Sequence, residues 1–200
     1  MISRTESREY LTIVSGLPRS GTSMMMKMLE AGGIPVVVDH IRTPDDDNPN
    51  GYYEFEAVKK TREDAGWVKA AIGKAVKMVY RLLYDLPAEY EYRVVFMRRH
   101  LDEVLASQAV MLERHGQSTP SVQDAKMKEL FLSQLAKVEK WLAGQPNFAV
   151  LDVDYNQMHA DPESQIAALD QFLGGGLNRD AMRAVLNPAL YRNRHAAPQS

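Results

Sequence analysis

The chain of 200 residues contains no cysteine. Disulfide bonds, thiolate metal ligands and thiol-based catalysis are therefore excluded, and the redox compartment is unconstrained. No apolar run approaches the length that a membrane-spanning helix needs, and the first ten residues contain no apolar segment of the kind found in secretory signals. We therefore expect a cytoplasmic protein that does not bind membranes.

The chain also lacks an excess of positive charge. Its 24 basic and 26 acidic residues give a net charge of -2, so a general attraction to nucleic acid is not expected and any recognition of anions must be local. With 45% hydrophobic and 25% charged residues, the composition is that of a globular protein. We expect one domain over residues 1–200, with flexible ends at residues 1–9 and 192–200.

Apolar runs alternate with segments of helical spacing along the chain, and glycine, proline and aspartate separate them. Strands are predicted over residues 10–16, 34–39, 74–80, 92–98 and 147–155. Helices are predicted over residues 22–31, about 54–71, 101–112, 127–142, 161–174 and 178–186, and Asp161 is the expected N-cap of the fifth of these. This alternation predicts a three-layer α/β/α fold with a mainly parallel central sheet, like that of P-loop nucleotide-binding proteins.

The segment "SGLPRSGTS", residues 15–23, joins the first strand to the first helix. Gly16 and Gly21 have the spacing of the nucleotide-binding loop G-x-x-x-x-G-K-[ST], but Thr22 occupies the position of the lysine. A glycine-bounded turn at a helix N-terminus offers backbone N–H groups and a positive dipole end to an oxyanion. Arg19 adds a permanent cation, and Ser20, Thr22 and Ser23 add hydroxyl donors.

This loop resembles the 5′-phosphosulfate loop of sulfotransferases that use 3′-phosphoadenosine 5′-phosphosulfate (PAPS), in the branch where arginine replaces lysine and small bacterial-type members occur. The resemblance implies sulfuryl transfer from PAPS, with adenosine 3′,5′-bisphosphate as the product and no metal. It also implies an acceptor hydroxyl or amine on a small molecule or glycan. The implied donor-binding residues in the loop are Gly16, Pro18, Arg19, Ser20, Gly21, Thr22 and Ser23.

Two further segments are similar to the same family. In "VVFMRRHLDEVLAS", residues 94–107, Arg99 and Ser107 match the 3′-phosphate site. An arginine leaving a strand and a serine two turns into the next helix can converge on one phosphate. In "VLDVDYNQMHADPE", residues 150–163, Tyr155 matches a tyrosine that approaches the adenine. Near the C-terminus, Arg192 and Arg194 match the family's final basic loop over the nucleotide only loosely.

The resemblance leaves the catalytic base open. It implies that Arg19 and Lys77 stabilise the departing phosphate, but Val79 occupies the position of the histidine that acts as base in the cytosolic branch. Other branches use a glutamate from the region after the first helix, which favours Glu54 here. Asp39 and His40 are the alternatives.

Two other function classes also fit parts of the pattern. A P-loop kinase or NTPase would use Asp152 or Asp154 at a strand end to hold magnesium, but it would lack the Walker lysine. A nucleotide-binding module that has lost turnover is the other alternative. The histidines show no spacing typical of metal ligands, and the acceptor and the oligomeric state are not predicted.

Overall fold

A computed structural model of the chain describes residues 8–39, 41, 51–114, 116 and 122–187. The strands are β1 (Leu11–Gly16), β2 (Ala75–Lys77), β3 (Tyr92–Arg98) and β4 (Phe148–Asp154). The α-helices are α1 (Thr22–Ala31), α2 (Trp67–Ala71), α3 (Leu101–Arg114), α4 (Val122–Leu142), α5 (Tyr155–Ala160), α6 (Pro162–Phe172) and α7 (Arg179–Ala184). Two 3₁₀ helices cover Glu56–Lys60 and Tyr80–Asp85.

The four strands form one parallel sheet in the order β2-β1-β3-β4. Ile13 of β1 pairs with Val76 on one side and with Val94 on the other, so β1 lies inside the sheet. Because all strands run in the same direction, their carboxyl ends meet at one edge. Ligands of open α/β sheets bind at this edge.

The sheet is covered on both faces. Along β3, Tyr92, Val94 and Phe96 belong to one apolar cluster, and Val95 and Met97 belong to another. The first cluster includes residues of α2, α3 and α4, and the second includes residues of α1, α5, α6 and α7. Alternate side chains of a strand point to opposite faces, so two helical layers enclose the sheet. The predicted three-layer α/β/α fold is confirmed.

Side chains cap several helices at their N-termini. Asp161 accepts a hydrogen bond from the backbone N–H of Ser164 and precedes proline at the first position of α6, as predicted. Asp154 accepts from the N–H groups of Asn156 and Gln157 and starts α5, a helix that the sequence pattern did not predict. Capping of this kind supplies partners for N–H groups that the helix itself leaves unpaired.

Three predicted elements differ from the structure. The strand predicted over residues 74–80 is limited to β2, and a 3₁₀ helix begins at Tyr80. The strand predicted over residues 34–39 is reduced to one bridge between Val36 and Ala75, because Pro35 has no N–H to donate and β2 is only three residues long. The helix predicted over about 54–71 is divided into Glu56–Lys60 and α2, since a turn intervenes in which Asp64 accepts from the N–H of Gly66. Within the described ranges, no helix is both long and apolar enough to span a membrane.

Candidate active site

The ends of all four strands carry residues that the sequence predicts for the site. β1 ends at Gly16 and leads into the glycine loop, and β2 ends at Lys77. β3 is followed at once by Arg99, and β4 is followed by Tyr155. The parallel sheet therefore brings residues from four distant parts of the sequence to one edge.

The loop between β1 and α1 is shaped by two glycines with positive φ. A Cβ atom at Gly16 (φ 147°) would lie 2.7 Å from the carbonyl oxygen of Met97, so the loop can pass close to β3 only without a side chain there. Gly21 (φ 95°) is the N-cap of α1, where a Cβ atom would lie 2.4 Å from the ring of Tyr155. Ser20 is buried and donates a hydrogen bond of 2.7 Å to the carbonyl of Leu17, which closes the turn.

Arg19 lies at the centre of the loop and connects it to α3. Its backbone has a φ of 70°, a left-handed conformation that is uncommon outside glycine. Its Nε donates a hydrogen bond of 2.9 Å to Oγ of Ser107, and its carbonyl oxygen accepts one of 3.1 Å from Arg99. The sequence motifs predict that Arg99 and Ser107 face one phosphate. In the structure both residues contact Arg19.

Arg99 belongs to a buried polar network. Its Nε donates to Glu103 at 2.9 Å, and the two side chains are only 8% and 2% exposed. The other carboxylate oxygen of Glu103 accepts from the side-chain amide of Asn156 at 2.9 Å. Breaking a buried, hydrogen-bonded ion pair is unfavourable because it leaves an uncompensated charge. The contacts with Glu103, which Asn156 holds in turn, therefore keep the Arg99 side chain in one position.

Glu103 and Asn156 were not among the predicted site residues. Arg99 and Glu103 are four residues apart, the spacing at which side chains of opposite charge pair along a helix. The sequence therefore contained a signal for this contact. Nothing in the local sequence indicates the contact with Asn156, which is 53 residues away from Glu103.

Tyr155 packs between the glycine loop and Arg99. The guanidinium carbon of Arg99 lies 4.5 Å from the centre of the Tyr155 ring, a cation–π contact. The ring of His159 meets Tyr155 edge to face at 4.8 Å. With its ring against Gly21, Tyr155 is 6% exposed. Tyr155 therefore joins α5 to the loop and to the end of β3.

Lys77 lies on the other side of the loop, near the start of α1. Its Nζ donates to the carbonyl oxygen of Tyr52 and, at 3.3 Å, to Oγ of Ser23. Ser23 Oγ also lies 3.3 Å from the carbonyl oxygen of Tyr52, within hydrogen-bonding distance. The Nζ atom is 4.0 Å from a carboxylate oxygen of Glu54. Lys77 thus connects the first turn of α1 to the segment that carries Glu54.

Asp39 is held close to Glu54, but both of its carboxylate oxygens are engaged. They accept hydrogen bonds from the backbone N–H groups of Ile41 at 3.0 Å and Glu56 at 2.6 Å. These N–H groups hold the pKa of the Asp39 carboxyl below its ordinary value. The N–H of Asp39 in turn donates to the carbonyl of Glu54 at 3.1 Å. Asp39 therefore organises this segment of backbone.

The remaining predicted site residues are divided between the loop and undescribed segments. Pro18 is exposed on the loop, and Thr22 is half-buried as the first residue of α1. His40, Arg192 and Arg194 lie outside the described residues. Among the residues that the structure does describe, no group of three or more histidine, aspartate or glutamate side chains is arranged to hold a metal ion.

A family model described as "Sulfotransferase domain" matches residues 11–199. No curated protein sequence matches the chain.

Three solved structures have the same fold over most of the chain. The sulfotransferase domain of the olefin synthase from Synechococcus PCC 7002 is 15% identical, with a TM-score of 0.55, and the match covers 90% of this chain and 78% of that one. The sulfotransferase domain of the curacin biosynthetic pathway is 15% identical, with a TM-score of 0.50, and the match covers 96% of this chain and 80% of that one. A sulfotransferase from Mycobacterium tuberculosis H37Rv is 17% identical, with a TM-score of 0.51, and the match covers 90% of this chain and 71% of that one.

At these identities the solved structures establish the fold alone. The family model, in contrast, extends from the first residue of β1 past the last described helix. The chain therefore belongs to the sulfotransferase domain family.

Proposed function

We propose that the protein transfers a sulfuryl group from PAPS to a hydroxyl or amine group of a small-molecule or glycan acceptor. The observation that carries this proposal is the grouping of Arg19, Arg99 and Tyr155 around a glycine loop at the start of a helix. Two guanidinium groups at one strand edge suit a ligand with two separate anionic groups. PAPS has such groups at its 5′ and 3′ positions.

The 5′-phosphosulfate would be bound by the glycine loop. The first N–H groups of a helix have no partners within the helix, and the positive end of the helix dipole lies at the same point. Gly21, the N-cap of α1, has no side chain that could satisfy them. An oxyanion can therefore accept hydrogen bonds from this turn, and Arg19 supplies the neutralising charge.

The 3′-phosphate would be bound by Arg99 and Ser107. Arginine retains its charge at any physiological pH, and its forked N–H groups match the oxygens of a phosphate. Glu103 and Asn156 hold the Arg99 side chain in a single place, so little side-chain entropy is lost when a phosphate binds. Tyr155, beside Arg99, is the residue that we propose to approach the adenine.

In the proposed reaction, the acceptor oxygen or nitrogen attacks the sulfur atom. The bond between sulfur and the bridging oxygen breaks, and its electron pair stays on the departing 5′-phosphate. Arg19 and Lys77 stabilise the negative charge that grows on this oxygen. Lys77 is suitable because its Nζ already contacts Ser23 in the first turn of α1.

Glu54 is the proposed base that takes the acceptor proton. Its carboxylate lies 4.0 Å from Lys77 and is 27% exposed, so it is close to the proposed reaction centre and accessible to an acceptor. Asp39 is the weaker candidate because its oxygens are bound by two N–H groups and its pKa is lowered, which makes it a poorer proton acceptor.

The kinase or NTPase alternative is not favoured, since Thr22 stands where that reaction requires lysine. The other alternative, a module that binds the nucleotide without turnover, would bind PAPS but would not consume it. Bisphosphate binding with no consumption of PAPS across a wide panel of alcohols, amines and glycans would identify such a module.

Calorimetric titration tests the donor site directly. The protein is titrated with adenosine 3′,5′-bisphosphate without metal, with AMP, and with ATP plus magnesium, all at the same modest ionic strength. We expect the bisphosphate to bind more tightly than either of the others, because only it has a phosphate for Arg99 and Ser107. Equal affinities for the bisphosphate and AMP would overturn the proposed donor.

A further inference from the structure

Tyr53 comes directly before the proposed base and has a strained backbone. Its φ is 50°, and among the residues that the structure describes only Arg19 also has a positive φ without being glycine. This left-handed conformation costs free energy in a residue as bulky as tyrosine, and it persists only where the surrounding contacts maintain it. Tyr53 therefore has contacts that offset this cost one residue before Glu54.

A hydrogen bond to α1 holds the Tyr53 side chain. The phenol donates to a carboxylate oxygen of Glu30 at 2.6 Å, and the ring packs against the apolar cluster that includes residues of α1. A bond of this length between a hydroxyl and a carboxylate is stronger than one between neutral groups. Burial and the hydrogen bond to Glu30 raise the pKa of the Tyr53 phenol, so the phenol keeps the proton that it donates at physiological pH.

The aromatic residues on either side of Glu54 are anchored on opposite faces of the sheet. Tyr53 packs with the cluster that includes α1, whereas Phe55 packs with the other cluster and its ring meets Trp67 edge to face at 5.7 Å. In extended backbone, residues two apart point to the same side. The positive φ at Tyr53 interrupts this alternation, so the two rings diverge, and the carboxylate between them lies 4.0 Å from Lys77.

We propose that Tyr53 is a positioning residue that holds the Glu54 carboxylate beside Lys77, an inference that rests on the proposed function because Glu54 is the proposed base. Tyr53 acts through the backbone that it shares with Glu54, and its bond to Glu30 connects this backbone to α1. A base must lie within hydrogen-bond reach of the proton that it takes, and a displacement of about 1 Å can lower a rate about 10²-fold. Loss of the bond to Glu30 should therefore lower turnover without changing donor affinity.

Crosslinking with a water-soluble carbodiimide tests the position of Glu54 without an acceptor. The reagent joins a carboxylate to an amine that lies beside it, and peptide mass spectrometry identifies the joined residues. We expect Tyr53→Phe and Glu30→Ala to lower the yield of the Glu54–Lys77 crosslink about threefold or more, because each removes one side of the hydrogen bond. Glu30→Gln should keep most of the yield, since its amide oxygen still accepts from the phenol.

Two controls separate this role from a general effect on folding. Asp102 and Lys128 form an ion pair of 2.6 Å between α3 and α4, and their crosslink should have the same yield in all variants. Tyr10 precedes β1 at the opposite end of the sheet, where its phenol donates to the carbonyl oxygen of Leu173 at 2.7 Å. Tyr10→Phe should lower stability but leave the crosslink at the acceptor side unchanged.

The rate of PAPS consumption tests the consequence for turnover. PAPS is kept saturating, and the acceptor is the alcohol, amine or glycan of the panel that the wild type sulfates fastest. Tyr53→Phe should lower kcat roughly 10-fold, since a hydrogen bond to a charged group contributes a factor of about this size. The KM for PAPS and the bisphosphate affinity should not change. In the Glu54→Gln background, Tyr53→Phe should lower kcat no further, because two changes that act through one group are not additive.

An unchanged Glu54–Lys77 crosslink in folded Tyr53→Phe, or a kcat loss that persists in full in the Glu54→Gln background, would overturn the role of Tyr53. Failure of the proposed function has a different signature. In that case the wild type consumes no PAPS with any acceptor of the panel, while the crosslink yields still show whether Tyr53 holds Glu54 beside Lys77.

Discussion

The two sides of the candidate site share one sheet edge but are built from different kinds of contact. We define the donor side as Arg19, Arg99, Glu103, Ser107 and Tyr155, and the acceptor side as Asp39, Glu54 and Lys77. On the donor side, side chains from a loop, a strand end and two helices contact one another, and Glu103 is only 2% exposed. On the acceptor side, most partners are backbone groups, and Glu54 is 27% exposed.

This difference indicates how the two sides respond to substitution. A buried network of hydrogen-bonded charges is coupled to folding, so changes on the donor side should alter both stability and donor binding. The partly exposed carboxylate of Glu54 contributes little to stability, so its substitution should alter mainly turnover.

Glu54→Gln is expected to have the largest effect on turnover. Loss of a general base lowers kcat by about 10²- to 10⁴-fold. The free energy of unfolding should change by less than about 1 kcal/mol, since the pair with Lys77 is long and partly exposed. Single-turnover rates with saturating PAPS and urea unfolding curves measure the two quantities.

Glu56→Gln is the matched control for this substitution. Glu56 lies two residues away, is about half exposed and pairs with Lys59 at 2.5 Å. It should retain the wild-type kcat. If Glu54→Gln lowered kcat by less than about threefold, or if both variants lost activity equally, Glu54 would not be the base.

Arg19→Ala is expected to have the next largest effect. Removing one donor that stabilises developing negative charge costs about 10²- to 10³-fold in kcat in other enzymes. Arg99→Ala, in contrast, should mainly weaken binding of the bisphosphate and of PAPS, because Arg99 is proposed to contact the phosphate that does not react. Initial rates over a range of PAPS concentrations separate kcat from KM, and calorimetry gives the bisphosphate affinity.

Arg98→Ala is the control for both arginine substitutions. Arg98 adjoins Arg99 in sequence, but its guanidinium group pairs with Glu139 at 2.6 Å and with Asp152 at 2.7 Å. Donor binding and kcat should be preserved in this variant. If Arg19→Ala and Arg99→Ala lost the same amount of kcat and the same amount of donor affinity as each other, the two residues would not have separate roles.

Local sequence patterns were sufficient for the parts of the fold that depend on neighbouring residues. The bounds of α1 and β3 agree with the predictions over residues 22–31 and 92–98, because apolar spacing and flanking glycine or charge mark them locally. The capping of α6 by Asp161 was also predicted from the Asp-Pro pair. By contrast, a strand was predicted over residues 34–39 from its apolar composition, yet strand formation also requires a partner of sufficient length.

Contacts between distant segments could not be predicted in this way. Arg19 and Ser107 are 88 residues apart, and Glu103 and Asn156 are 53 residues apart. Motif spacing indicated that Arg99 and Ser107 belong to one anion site, but a motif does not specify which of several donors a serine contacts. That choice depends on the positive φ of Arg19 and on the packing of α5, which only the folded chain determines.

Asp154→Ala should moderately lower both the stability of the fold and the affinity for the bisphosphate, because the donor side is coupled to folding. Asp154 caps α5, the helix that begins with Tyr155 and carries Asn156. Loss of a helix cap costs about 1 kcal/mol of stability. Bisphosphate affinity should fall as well, since Tyr155 and Asn156 both support Arg99.

Asp161→Ala is the matched control, because Asp161 caps α6 in the same manner but contacts no residue of the donor side as defined above. It should reduce the melting temperature without changing bisphosphate affinity. The coupling between folding and donor binding would be contradicted if the two cap variants had the same donor affinity.

Substitution of Asp39, on the acceptor side, should have the smallest effect, which is a change in how the melting temperature depends on pH. The N–H groups of Ile41 and Glu56 lower the pKa of its carboxyl. A group whose pKa is lower in the folded state stabilises the fold above its unfolded pKa, about 3.9 for aspartate, and loses this contribution as the pH falls through the folded value. The melting temperature of the wild type should therefore exceed that of Asp39→Ala by a constant amount at neutral pH, and the difference should shrink below about pH 4. Thermal melts of both proteins over a pH series measure it, and a difference that grows on acidification would show that the ionised carboxylate does not stabilise this segment.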